Sequence, residues 1–349
     1  MGRNRTDNAC SKRECFSPRQ FLADRHQSRA VALLCLITAC VGCTNNPGAN
    51  KNELVDAKEI IFETDVDQLT ATNMGVPVNS PEGEFNPEMT SNGLEMFFSS
   101  EREGSQDRDL YRARRETPDG DWTIVENMGP DINSPHLDSG PSITSDGKTL
   151  VFHSERLFNG AKDGIQTHRD LFYTQRKSLD APFGKVQTVP GKEIVTEYAD
   201  TAALITDNGT TMYFSSNRPG GIGSKDIYVA TRKDPNGPFT TVKNMGPNVN
   251  SKWVDSNPAI TEDGLTLFFH SKRPGFGRSD LYVTCRKSKD DPWTPARNLG
   301  VTANTDFAEA NPSVSANGKI LLFRSDREGT VGKQDLWQMP MDPAWLKCE

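Results

Sequence analysis

Three residue types recur five times each at fixed spacing, and together they could do chemistry. An acid stands three places before a recurring proline (Ala203 in one copy): Glu84, Asp138, Asp200, Asp255 and Glu309. A Ser-x-Arg arginine follows in each copy: Arg102, Arg156, Arg218, Arg273 and Arg327. A second acid follows that: Asp109, Asp170, Asp226, Asp280 and Asp335. Two residues before each of the first acids stands Glu82, His136, Tyr198, Trp253 or Phe307, four of them ring-bearing. Gathered carboxylates can pair with arginine, offer oxygens to a divalent cation such as Ca²⁺, or act as acid and base on a glycosidic bond. Rings beside them suit a sugar or a cationic side chain.

The elements that position these residues are read from a repeated segment. PEMTSNGLEMFFSSER from Pro87, PSITSDGKTLVFHSER from Pro141, ALITDNGTTMYFSSNR from Ala203, PAITEDGLTLFFHSKR from Pro258 and PSVSANGKILLFRSDR from Pro312 share Gly93, Gly147, Gly209, Gly264 and Gly318. Each copy predicts a short strand, an Asp/Asn-Gly hairpin turn and an apolar second strand. A third strand opens with the second acid, and a fourth ends in Asn-Met/Leu-Gly. Four antiparallel strands repeated around an axis make a propeller blade. The fold class is therefore all-β, a five-bladed β-propeller over residues 62–349. The fifth copy stops after its third strand. Asn73-Met74-Gly75 with Val78-Asn79-Ser80 matches Asn127-Met128-Gly129 with Ile132-Asn133-Ser134. The strand before Asn73 should supply the missing fourth strand of the last blade and cover an edge that would otherwise invite aggregation.

On this architecture the three residue types share one face, called the top. The arginines should brace the loops as ion pairs with the acids that open the third strands: Arg102 with Asp109, Arg156 with Asp170, Arg218 with Asp226, Arg273 with Asp280, Arg327 with Asp335. That leaves Glu84, Asp138, Asp200, Asp255 and Glu309 at the channel mouth, which should stay net negative and focus its field. With His136, Tyr198, Trp253 and Phe307 they form the candidate ligand-binding set, and Ca²⁺ could sit among the carboxylates. Two longer segments, 157–169 and Val189–Tyr198, should both fall on this face, where extra loop length marks binding. His153 and His270 occupy equivalent second-strand positions and are expected between blades, not as metal ligands. No serine nucleophile elbow, HExxH, Walker loop or dinucleotide fingerprint occurs, and no resident cofactor or metal is implied.

Asn257-Pro258-Ala259-Ile260-Thr261-Glu262-Asp263-Gly264 and Ser216-Asn217-Arg218-Pro219-Gly220-Gly221 resemble the TolB-like propeller repeats of bacterial periplasmic and envelope proteins. The resemblance implies the fold and an envelope setting, not a particular partner.

Residues 1–39 read as a lipoprotein-type signal peptide with a long basic start, carrying seven Arg/Lys against three acids. The apolar run Ala30 to Cys43 is shorter than the ~20 residues of a membrane span and suits a signal core. Ile37-Thr38-Ala39-Cys40 resembles a lipoprotein box, so Cys40 is the expected lipidation site, with Cys43 the alternative. Residues 40–61 form a polar tether. The net charge of −7 leaves an acidic body once that leader is set aside, which excludes nucleic acid as a partner. Cys285 and Cys348 are the body's two cysteines and are free to join or stay apart in an oxidising compartment. The expectation is an exported, lipid-anchored binding or scaffold protein of the periplasm or cell envelope. Its top face would take an envelope protein or a polysaccharide, and only the anchor would touch the membrane. The alternative is a five-bladed-propeller glycoside hydrolase using two of the inner-strand carboxylates, which would need two acids in unlike environments.

Overall fold

The computed structural model describes residues 69–156 and 168–348. The leader, Cys40, Cys43, the tether and the 157–167 segment lie outside the described residues.

Five four-stranded antiparallel sheets follow one another along the chain. Blade one is β2 (Glu84–Met89), β3 (Glu95–Ser100), β4 (Asp109–Arg114) and β5 (Ile124–Asn127). Blade two is β6 (Asp138–Ile143), β7 (Thr149–Ser154), β8 (Asp170–Gln175) and β9 (Gln187–Thr188). Blade three is β10 (Asp200–Thr206), β11 (Thr211–Ser216), β12 (Asp226–Thr231) and β13 (Thr241–Asn244). Blade four is β14 (Asp255–Ile260), β15 (Thr266–Ser271), β16 (Asp280–Cys285) and β17 (Arg297–Asn298). Blade five is β18 (Glu309–Val314), β19 (Ile320–Ser325), β20 (Asp335–Pro340) and, from the other end of the chain, β1 (Thr72–Asn73). Thr72 faces Gln338 and Asn73 faces Trp337 in that closing pair, as the missing fourth strand required.

The second strands are apolar almost without alternation because neighbouring blades cover both their faces. Phe97, Phe98, Phe152, Phe214, Phe268, Phe269 and Phe323 are fully buried. Each such ring removed from water contributes roughly 1.5–3 kcal/mol. The Asn-Gly and Asp-Gly turns form as read. In blade two, Thr144 Oγ1 donates to Asp146 Oδ1 at 2.6 Å while Gly147 takes φ +69°.

A second arginine series escaped the sequence reading. Arg115, Arg176, Arg232 and Arg286 immediately follow the third strands and donate to the carbonyls of Gly93, Gly147, Gly209 and Gly264. Each also covers the ring of its own outer loop, Trp122, Phe183, Phe239 or Trp293, at 4.2–4.9 Å.

The inner strands carry a bulge that the sequence reading did not anticipate. Their third residues, Asn86, Gly140, Ala202, Asn257 and Asn311, all take φ of +50° to +65°. Asparagine and glycine tolerate this region best. The freed N–H turns toward the preceding blade: Gly140 N donates to Ser99 Oγ, Ala202 N to His153 Nδ1 and Asn257 N to Ser215 Oγ, at 3.0–3.3 Å. His153 is thus an acceptor between blades, and burial holds its pKa well below the ordinary value. His270 is likewise buried and pushed down to about 3.

The C-terminal end folds back over blade four. A short 3₁₀ turn, Pro343–Leu346, buries Trp345 in the core. Arg297 Nη2 donates to the carbonyls of Ala344 and Trp345, and Cys348 is disulfide-bonded to Cys285.

Candidate functional site

The head of each inner strand is a closed polar cluster. Glu84, Asp138, Asp200, Asp255 and Glu309 have no exposed surface. Four residues earlier a Ser or Thr hydroxyl donates to each acid, Ser80, Ser134, Thr196, Ser251 and Thr305, at 2.6–2.9 Å. The Ser-x-Arg arginine completes the cluster. Arg102 lies 3.2 Å from Glu84, Arg156 2.6 Å from Asp138, Arg218 2.8 Å from Asp200, Arg273 3.0 Å from Asp255 and Arg327 3.1 Å from Glu309. Burial pushes the Glu84 and Asp200 carboxyls up, while these hydrogen bonds and the arginines pull them back.

The expected pairing of these arginines with Asp109, Asp170, Asp226, Asp280 and Asp335 is therefore corrected. Those acids are already engaged. Asn127, Asn244, Asn298 and Asn73, at the ends of the fourth strands, donate to Asp109, Asp226, Asp280 and Asp335 at 2.6–2.8 Å. Loop N–H groups add to this, as Gly223, Gly277 and Gly332 do at 2.9–3.0 Å. In blade two Thr188 stands where the asparagine would be. There His168 Nε2 lies 3.7 Å from Asp170, whose carboxyl burial and Asp200 push up to about 7.

Two consequences follow for the mouth. The inner-strand acids are enclosed in separate blades, so they do not converge on an ion. Among the described residues no group of three His, Cys, Asp or Glu side chains is placed to hold a metal, and the Ca²⁺ expectation has no site there. Cations reach the mouth as well. Arg108, Arg169 and Lys225, each just before a third-strand acid, join Arg324 in charge coupling around the buried His153 and His270.

The rings two places before the acids are exposed where the acids are not. Trp253 is 41 % and Phe307 36 % exposed, His136 is exposed and Tyr198 partly so. Trp253 stands beside Lys252, whose ammonium is 5.4 Å from its ring. The buried acid anchors each loop and the ring stands clear of it. Glycines in the preceding blade seat these loops. A Cβ on Gly223 would lie 2.1 Å from the Trp253 carbonyl oxygen, and one on Gly277 1.6 Å from that of Phe307. Beside them stand Ile222, Phe276 and Val331, the equivalent loop tips of blades three to five. Of ten large apolar side chains exposed among the described residues, seven are on this face: Val76, Ile222, Trp253, Phe276, Val301, Phe307 and Val331. Val189–Tyr198 does not extend it as a free loop, because Val189 and Ile194 are buried in the core with Phe239.

The opposite end of the channel opens into a cavity of 630 Å³ bounded by the ends of the inner strands and their turns. Glu88 lies in it, at a position where the other blades carry Ser142, Leu204, Ala259 and Ser313. It accepts from Ser313 Oγ at 2.7 Å, and burial pushes its carboxyl up to about 7. The sequence reading did not single it out.

No family model matches the chain, and no curated protein matches it. Several solved structures share the fold. Zg3597, a family 117 glycoside hydrolase from the marine bacterium Zobellia galactanivorans, is 13 % identical over 81 % of this chain and 95 % of its own, with a TM-score of 0.50. A GH62 hydrolase in complex with xylotriose is 8 % identical over 78 % and 96 %, at 0.49. A putative TolB from Agrobacterium tumefaciens is 12 % identical over 75 % and 92 %, at 0.45. At these identities the likeness is one of fold.

Proposed function

We propose that the protein is an exported binding protein of the cell envelope, lipid-anchored through Cys40, whose top face takes a glycan chain. One observation carries the reading: exposed rings and apolar loop tips are concentrated on the face where the inner strands begin. Exposed apolar groups gathered on one face mark a binding surface, and Trp253 and Phe307 offer flat apolar area to the C–H faces of a sugar. The anchored carboxylates beneath are architecture that holds those rings in place. A glycan array probed with the protein tests the reading. Trp253→Ala should weaken binding by roughly 1–3 kcal/mol, as an anchor residue does, with little change in melting temperature. A large loss of stability without loss of binding would reassign Trp253 to packing. Cys40→Ala should move the protein out of the detergent phase on phase partitioning.

A second reading, glycoside hydrolysis, is favoured by Glu88. It is the one acid that breaks the fivefold pattern of the inner strands, it lines a cavity, and its carboxyl holds a proton near neutrality, as a general acid requires. The family 117 enzyme shows that a chain of this fold can act on glycosides. Reducing-end release from an oligosaccharide panel, abolished in Glu88→Gln, would establish this reading. Binding without turnover would leave the first.

A further inference from the structure

The residue just before each third-strand acid occupies a fivefold-equivalent place that the repeats did not reveal. Its carbonyl accepts the N–H of the next blade's inner-strand acid: Arg108 from Asp138, Arg169 from Asp200, Lys225 from Asp255, Ser279 from Glu309, Gln334 from Glu84, all at 2.8–2.9 Å. These five positions therefore sit between the heads of adjacent inner strands, around the throat of the channel. Three carry cations. Arg324, from the second strand of blade five, joins them, with its guanidinium 5.4 Å from the Phe85 ring; Arg108 lies over the same ring at 3.6 Å.

The charges are not all met. Arg108 pairs with Glu101, and Arg169 Nε donates to Glu155 at 2.9 Å. Among the described residues Arg324 donates hydrogen bonds to neutral oxygens, those of Asn311 and Gln334, with the Asp326 and Glu101 carboxylates acting on it from further off. The Lys225 ammonium, partly buried, has no ion pair and no hydrogen-bond acceptor among the described residues; the Asp200 carboxylate that acts on it is already paired with Arg218. Glu101 and Glu155, which meet Arg108 and Arg169, each stand just before the Ser-x-Arg arginine of the same blade, and in blade three that place is taken by the uncharged Asn217. Burial and the neighbouring Arg169 push Lys225 down to about 8, and burial and Arg108 push Arg324 down to about 10. Both are partly buried cations with like charge beside them, a setting that favours an incoming anion.

We infer that the throat is an oxyanion site, in which Lys225 holds a carboxylate or sulfate group carried by an acidic saccharide, whose sugar rings lie on the Trp253 side of the mouth. The inference rests on the glycan reading above and adds the ligand's charge. A saccharide is favoured over an acidic peptide because rings stand at the rim of this throat.

The test is calorimetric titration of the full chain with three oligosaccharides of equal length: a neutral one, a hexuronate and a sulfated one. The acidic ligands should bind at least about tenfold more tightly than the neutral one, in line with a charge-assisted hydrogen bond, and the preference should shrink with added salt. The order of hexuronate and sulfated ligand identifies the group. Lys225→Met should remove most of the preference while leaving neutral binding and melting temperature unchanged, and Lys225→Arg should restore it. Equal affinity for all three oligosaccharides, with all three weakened by Trp253→Ala, would overturn the charged throat and leave the glycan reading standing. Binding of none of them, or of an acidic peptide only, would overturn both.

Discussion

Glu88 holds a proton that the chain would lose on unfolding. Its folded pKa near 7 lies above the ordinary 4.5. Between these values the folded chain binds more protons than the unfolded one, so stability falls as pH rises through that window, and the full loss is present above pH 7. Glu88→Gln removes the titration and keeps an acceptor for Ser313. The variant should exceed the parent in stability by about 1–3 kcal/mol at pH 8 and match it near pH 4, as read by urea unfolding at both values. Parallel stabilities at the two pH values would place Glu88 in contact with water. At this scale the sequence showed which residues recur but not which ones meet. The heads of the inner, second and third strands lie side by side, so Arg102 had two acids within reach, Glu84 and Asp109. What decides between them is the asparagine of the Asn-Met-Gly segment, which occupies the third-strand acid first. That asparagine was visible in the repeat, but its partner became identifiable only once the fourth strand's register was known.

The loops between second and third strands act as seats for the next blade's ring-bearing loop. Gly277 is the tightest of them, since a Cβ there would overlap the Phe307 carbonyl oxygen. Gly277→Ala should destabilise the protein by about 1–3 kcal/mol, as overpacking does. It should also speed hydrogen exchange at residues 305–309, through displacement of Phe307. Unchanged exchange there would show that the loop holds its place without the seat. The strands themselves were legible because apolar runs and Asn/Asp-Gly turns act locally. The inner-strand bulge was not. A residue before proline is ordinarily extended, yet Asn86, Asn257 and Asn311 turn left-handed. Their conformation is favoured by a hydrogen bond to the neighbouring blade, seen directly at Asn257, and no window of sequence within one repeat contains that neighbour.

The ring is fastened on both sides of its seam. β1 completes blade five from the N-terminal side, and the C-terminal end is tied to blade four through Cys285–Cys348, a sequence separation of 63. A crosslink over a loop of that size contributes about 4 kcal/mol in the chain-entropy account. Cys348→Ser should therefore lower the melting temperature. Removing residues 1–80 should lower it further, since it takes away both β1 and the Asn79 side chain that brackets Leu336. A melting temperature indifferent to that deletion would mean that blade five is complete without β1. This arrangement also sets an order of events during synthesis. Thr72 is among the first residues of the ring to leave the ribosome, and its partner Gln338 is among the last. Until then blades one to four can form in sequence, but the earliest strand has nothing to pair with. Closure is a late step, taken when the chain is nearly complete, and a chain stopped before residue 335 would carry a ring that has no means of shutting.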